Sequence, residues 1–223
     1  MGFEVLHGIV DSLWARKDGA ADEDYRKLAE RIEEELGLPI SYEGRYKWIA
    51  FLPSKINPEK PVNNRYFGVF TDGRIKFRGI EARRRDTPRI VKDMQLEVLR
   101  KLAEANTPQE LYEKAGQCLQ IYRRYVRRIL LGEVSPEELS ITRVLSMRPS
   151  EYLAATRQAV AAKILESAGL RIQPGQAITY VATKSGAFPI QLLSENHYDV
   201  YTYVNALRKA INTILAIIIQ QAQ

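Results

Sequence analysis

The chain has 223 residues, enough for one large domain or two small ones, and 45% hydrophobic with 27% charged residues implies a packed core rather than a disordered chain. A formal charge of +6, from 33 basic and 27 acidic residues, fits a polyanionic partner or simply a solvated surface. The single cysteine, Cys118, excludes an intramolecular disulfide and a thiolate zinc site.

A reducing, intracellular setting is expected. No basic segment followed by an apolar run opens the chain, so no signal peptide is expected. The late run ILAIII is far shorter than the roughly 20 apolar residues of a membrane span, and it reads as a buried helix face.

Residues 3–16 alternate and predict a β-hairpin with Gly8 near its turn. In residues 22–37, Tyr25, Leu28, Ile32 and Leu36 fall at helical spacing, acids crowd the first turn, and Gly37 ends the pattern. Residues 40–52 read as a strand pair bent at Glu43-Gly44. This β-α-β pattern is too small to stand alone and predicts part of a sheet whose other strands lie elsewhere. A Pro/Asn-rich connector follows. Residues 65–79 form a hairpin around the type I′ signal Asp72-Gly73.

Helices dominate the remainder. Thr87 as cap and Pro88 as first residue predict one helix. Thr107, Pro108 and Glu110 supply a cap, a starter and a capping-box partner for the next. Ser135-Pro136-Glu137-Glu138 opens a short third helix, and residues 150–169 a fourth closed by Gly169. Residues 173–186 return to strand, and residues 199–222 form a long last helix. The fold class expected is α+β.

Asp11 is a lone acid among Val5, Leu6, Ile9, Val10, Leu13 and Trp14. A carboxylate at a hairpin turn can hold Mg²⁺, or it can bond its own backbone. Two-metal phosphoryl transfer needs at least two carboxylates, and this hairpin offers one. Arg65, Arg74, Lys76, Arg78, Arg83, Arg84 and Arg85 cluster around aromatic strands, a pattern suited to phosphate oxygens or to a solvated basic face. Arg123 with Arg127, and Arg124 with Arg128, are like-charged rows at i,i+4 that read as solvated, with a partner or nucleic acid as the alternative. His7 and His197 belong to no metal-ligand spacing.

In order along the chain, these stretches resemble the C-terminal third of archaeal family B DNA polymerases. The family hairpin Tyr-x-Asp-Thr-Asp-Ser/Gly is matched by HGIVDS: Asp11 falls on the second aspartate, with Ser12 after it, Ile9 on the first aspartate and His7 on the tyrosine. YEGRYK (42–47) is similar to Tyr-Glu-Gly-x-Tyr-Lys, and residues 65–86 resemble the primer-gripping strands with their Arg-Arg-Asp end. The family's Lys-x-Tyr appears as Asn64-Arg65-Tyr66. ITR (141–143), AVAAKIL (159–165), RIQPGQAITYV (171–181) and HYDVYTYV (197–204) resemble thumb segments.

The resemblance implies a palm fragment over residues 1–55, a partial sheet with a hairpin and helix. A mostly helical thumb with short hairpins would occupy 56–223. It implies the small polypeptide of a split family B polymerase, active only with a large subunit that carries the rest of the palm, the fingers and the exonuclease. Asp11 would be the catalytic, metal-binding residue, in a two-Mg²⁺ site shared with that partner, with Glu43 as an outer carboxylate or merely a turn residue. Ser12 would support the hairpin. Ser12, Lys47, Arg65, Tyr66, Arg78, Gly79, Arg83, Arg84, Arg85, Arg143 and Lys163 would contact primer-template DNA.

Deoxynucleoside triphosphates would be substrates, and a sliding clamp would be reached through the large subunit. A cytoplasmic, nucleoid-associated location with no membrane contact follows. An accessory, non-catalytic DNA-binding subunit and a purely structural subunit are the alternatives.

Overall fold

The computed structural model describes residues 2–9, 12–54, 61–194 and 197–220, omitting the side chains of residues 61, 63, 108 and 220. It is an α+β structure, as the sequence implies, in two compact units, Met1–Gly79 and Ile80–Gln223. The first unit runs to Gly79, past the Pro/Asn-rich connector. The reason is pairing: β3 (Tyr46–Pro53) and β4 (Pro61–Phe70) lie on either side of the connector and form one antiparallel ladder.

In the first unit, β1 (Glu4–Ile9) and β2 (Ser12–Arg16) form the expected hairpin. Gly8 lies near the end of β1, opposite Leu13, one pair before the turn, as expected. The register slips between Val5 and His7, leaving Leu6 as the extra residue of a bulge. Next comes α1 (Asp22–Leu36), closed by Gly37 in the left-handed conformation at φ 65°. The first strand expected within 40–52 does not form. Residues 38–45 are irregular because Arg45 is drawn to the start of α1, pairing with Asp22 and donating to the Ala20 carbonyl.

β3, β4 and β5 (Ile75–Arg78) make a three-stranded antiparallel sheet separate from the two-stranded β1–β2. The expected common sheet of hairpin and β3 is therefore replaced by packing between sheets. Trp14 and His7 of the hairpin meet Phe51 of β3, and Trp14 also meets Tyr66 of β4.

The second unit holds α2 (Arg89–Ala103), α3 (Pro108–Leu131), α4 (Pro136–Leu139), α5 (Arg157–Ser167) and α6 (Val200–Gln220). Its sheet is β6 (Ile141–Val144), β7 (Ala177–Thr183) and β8 (Gly186–Pro189), of which the sequence signalled only the middle strand. α2 starts one residue later than expected: Pro88 is extended at ψ 144° and acts as cap, while Thr87 is buried. Thr107 caps α3 as expected, but Glu110 reaches back to the Asn106 amide rather than to the cap residue. The Ser135/Glu138 capping box is complete.

The expected helix over 150–169 is interrupted. Glu151 accepts from the Arg148 amide, the Tyr152 hydroxyl accepts from the Ser146 amide, and α5 begins only where Thr156 caps it.

By length and composition α6 alone, among the described residues, is apolar enough to cross a membrane. Tyr203, Leu207, Ala210, Ile211, Ile214 and Leu215 are nevertheless buried, as in a core helix packed on α2 and α3. The Tyr203 hydroxyl donates to the Leu139 carbonyl and accepts from the Ala182 amide, and the Tyr198 hydroxyl donates to the Ile129 carbonyl. HYDVYTYV is thus a clamp that fixes the start of α6 to its neighbours.

Candidate catalytic hairpin and nucleic-acid-binding residues

Asp11 lies outside the described residues. Ile9 and Ser12, which bracket residues 10 and 11, are paired in the ladder, and Ser12 is exposed. The hairpin is held by aromatic packing: Trp14 lies 5.3 Å from Tyr66 and 6.0 Å from Phe51, both in near edge-to-face geometry.

Tyr66, expected to touch DNA, is 3% exposed, so its ring fixes the hairpin to the sheet rather than offering a surface. Arg65 is likewise engaged. It donates to the carbonyls of Gly79 and Pro53, at 3.3 Å each. Gly79 explains itself sterically: its φ is 65°, and a Cβ there would lie 2.3 Å from the Asn64 carbonyl oxygen and 2.5 Å from Arg65 Cγ. The turn after β5 therefore lies directly on β4, and Arg78 is left exposed beside it.

The YEGRYK segment also acts as an anchor. Tyr42 stacks on Tyr25, and Tyr46 stacks on Phe70 at 4.1 Å. The Tyr46 ring fills the space over Gly68, where a Cβ would approach it to 2.9 Å. Burial pushes the Tyr46 phenol well above its usual range. Lys47 is half-buried.

Both carboxylate oxygens of Glu43 accept from Lys76 Nζ, and its carbonyl accepts from Arg74. Glu43 is thus held at the turn by a cation of β5. Among the described residues no group of three or more His, Cys, Asp or Glu side chains could hold a metal ion.

In the second unit, Arg83, Arg84 and Arg85 are exposed on the approach to α2. Arg84 donates through Nε and Nη2 to both oxygens of Asp86, at 3.0 Å each. Arg143 of β6 also pairs with Asp86. The Arg84 guanidinium, with Arg143 behind it, holds the Asp86 carboxyl below its ordinary range.

The arginines therefore divide into two kinds. Arg84 and Arg143 are oriented by one carboxylate. Arg78, Arg83 and Arg85 have no side-chain partner among the described residues. Lys163 is exposed on α5. Asp86 closes the Arg-Arg-Asp motif, but its role as the carboxylate that orients Arg84 and Arg143 was not expected from the sequence.

The rows on α3 are not simply solvated. Arg124 pairs with Glu97 and Arg128 with Glu138, leaving Arg123 and Arg127 exposed.

Residues 59–220 match the family model described as DNA polymerase family B. The chain is 30% identical over 214 residues to DNA polymerase 2 of Aeropyrum pernix, covering 92% of this chain and 24% of that protein. It is 32% identical over 201 residues to the DNA polymerase of Archaeoglobus fulgidus, covering 87% of this chain and 24% of that protein. Among solved structures, it resembles the family B DNA polymerase of Pyrobaculum calidifontis, with a TM-score of 0.68 and 25% identity over 96% of this chain and 26% of that one. The chain thus spans about a quarter of the length of these relatives. With the family model matching most of its residues, the chain belongs to the family B DNA polymerases.

Proposed function

We propose that this chain is the small subunit of a DNA-directed DNA polymerase, comprising the last part of the palm and the thumb. It would act only with a large subunit that carries the remaining palm, the fingers and the exonuclease. The observation that supports the polymerase part of this reading is the match to the family over 59–220. Primer-template DNA and deoxynucleoside triphosphates are then the substrates, and a cytoplasmic, nucleoid-associated location follows. Any sliding clamp would be reached through the large subunit.

The chain's own residues have separable tasks. The aromatic set Trp14, Phe51 and Tyr66 holds the hairpin that includes Asp11. Arg78 in the first unit, and Arg83, Arg85 and Lys163 in the second, are exposed cations that would contact the phosphate backbone. Arg84 and Arg143, fixed by Asp86, would present guanidinium groups in a set orientation. Mg²⁺ would be held by Asp11 with carboxylates of the large subunit.

The test is Asp11→Asn in the assembled enzyme. Loss of synthesis with DNA binding retained supports the reading. Synthesis at the wild-type rate would instead make the chain an accessory DNA-binding subunit.

A further inference from the structure

We propose that Gln95, helped by Thr213, is a positioning residue for DNA contact: from the core of the second unit it fixes the turn that leads into Arg83, Arg84 and Arg85, so that these cations meet the phosphate backbone in a set arrangement. The proposal rests on the DNA-contact reading of these arginines given above.

The turn needs an outside hold. Glu81–Arg83 is a single turn of 3₁₀ helix. The Arg83 amide donates to the Ile80 carbonyl at 3.2 Å, and the Arg84 amide to the Glu81 carbonyl at 3.0 Å. Hydrogen bonds of this kind are poorly aligned, so one such turn has little stability of its own. Ile80 before it and Thr87 after it are buried, and the three arginines stand exposed between these fixed points.

The hold comes from α2. Gln95 is fully buried and shares the inner face of that helix with Val91, Met94, Val98 and Leu99. A hydrocarbon side chain would fill such a place without the cost of desolvating an amide. The amide instead uses its oxygen and both of its protons. Oε1 accepts from the Ala82 amide at 2.7 Å, and Nε2 donates to Glu81 Oε2 at 2.9 Å and to the Ala210 carbonyl at 3.0 Å. The other oxygen of Glu81 accepts from the Thr213 hydroxyl at 3.1 Å. The two residues directly before Arg83 are thus each tied to Gln95, one through its backbone and one through its carboxylate. Ala210 and Thr213 carry the same tie to α6.

Packing and positioning predict different outcomes. A residue that only packs the core lowers stability and leaves the affinity of the folded chain unchanged. A residue that places cations lowers affinity only while those cations are present, which a double-mutant cycle detects.

The experiment titrates a fluorescent primer-template duplex at several salt concentrations with wild type, Gln95→Leu, Arg83→Ala/Arg84→Ala/Arg85→Ala, and the combination of the two. The temperature is one at which circular dichroism shows every variant folded. Arg78, Arg143 and Lys163 keep binding measurable without the three arginines. Tyr198→Phe removes the hydrogen bond to the Ile129 carbonyl and none of those made by Gln95, so it serves as the stability control. Thr213→Val removes one bond to Glu81 and takes the place of Gln95→Leu if that variant does not fold.

The expected result is about a fivefold loss of affinity with a smaller salt slope for Gln95→Leu, about a twofold loss for Thr213→Val, and none for Tyr198→Phe. Without the three arginines, Gln95→Leu should cost less than about twofold. Folded Gln95→Leu or Thr213→Val with wild-type affinity would overturn the positioning role and leave the DNA-contact reading intact. An equal loss with and without the three arginines would assign Gln95 to packing and also overturn it. Wild-type affinity and salt slope in the triple-alanine variant, or a wild-type chain that does not bind the duplex, would overturn both.

Discussion

Arg84 and Arg143, from the approach to α2 and from β6, converge on the single carboxylate of Asp86. The carboxylate is 14% exposed, while the two arginines are 60% and 48% exposed. It therefore acts as an anchor beneath two cations that are themselves largely exposed. Asp86→Ala is expected to cost about 1 kcal/mol of stability, because the released guanidinium groups can be hydrated. Its larger effect falls on DNA affinity, since two arginines lose their orientation. Denaturant unfolding and DNA titration of the same variant separate the two effects. Because pairing lowers the folded-state pKa of Asp86, its contribution is present above the ordinary carboxylate range and is lost as pH falls through the folded value.

Gly79→Ala is expected to destabilise the first unit by more than about 2 kcal/mol. The left-handed conformation alone costs a non-glycine residue roughly 1–2 kcal/mol. The added Cβ would also meet the Asn64 carbonyl at 2.3 Å, a backbone atom that cannot rotate away. Thermal unfolding measures the loss.

Gln95 is fully buried on α2 and makes three hydrogen bonds. Its oxygen accepts from the Ala82 amide, and its nitrogen donates to the Glu81 carboxylate and the Ala210 carbonyl of α6. Gln95→Leu keeps the volume and leaves those partners unsatisfied, at a cost of about 2–4 kcal/mol. Glu81 is also held by Thr213. Thr213→Val is expected to cost less, about 1 kcal/mol, and the two losses should not add, because both act on Glu81.

At acid pH the junction of α2 and α3 is expected to loosen. Lys101 and Lys114 both donate to Glu104 and hold its pKa down to about 2. The stabilisation is present above the ordinary glutamate range and fades as pH falls toward about 2. The protection factors of residues 101–114, corrected for the intrinsic exchange rate at each pH, should fall in the wild type from pH 6 to pH 3. Glu104→Gln should show the lower protection already at pH 6.

Local signals in the sequence carried the fold where chemistry was local. Ser135 with Glu138, Thr107 with Pro108, and Gly37 each specify a cap within a few residues and are present in the structure, and Asp72-Gly73 does mark a turn; the turn is not the expected type I′, because Gly73 alone takes a positive φ, 86°, in a three-residue loop closed by the Phe70–Arg74 pair. What failed was set by distant partners. The strand expected before Glu43 is lost to Arg45, which finds Asp22 and Ala20 more than twenty residues away. β6 and β8 flank β7 by pairing that no periodicity announces.

The candidate site was legible as a list of cations but not as a division of labour. Arg65 spends its donors on backbone carbonyls and Tyr66 spends its ring on Trp14, whereas Arg78, Arg83 and Arg85 remain exposed. Arg83→Ala and Arg85→Ala should each lower the salt slope of DNA binding by about one. Arg65→Ala should lower stability first.

The most direct measurement is primer extension with Mg²⁺ and deoxynucleoside triphosphates, using this chain alone, the large polymerase polypeptide alone, and the two mixed. Synthesis in the mixture only, abolished when Asp11→Asn replaces the wild-type chain, is the result expected of an active site divided between two polypeptides. Synthesis by the large polypeptide alone at the rate of the mixture would contradict it.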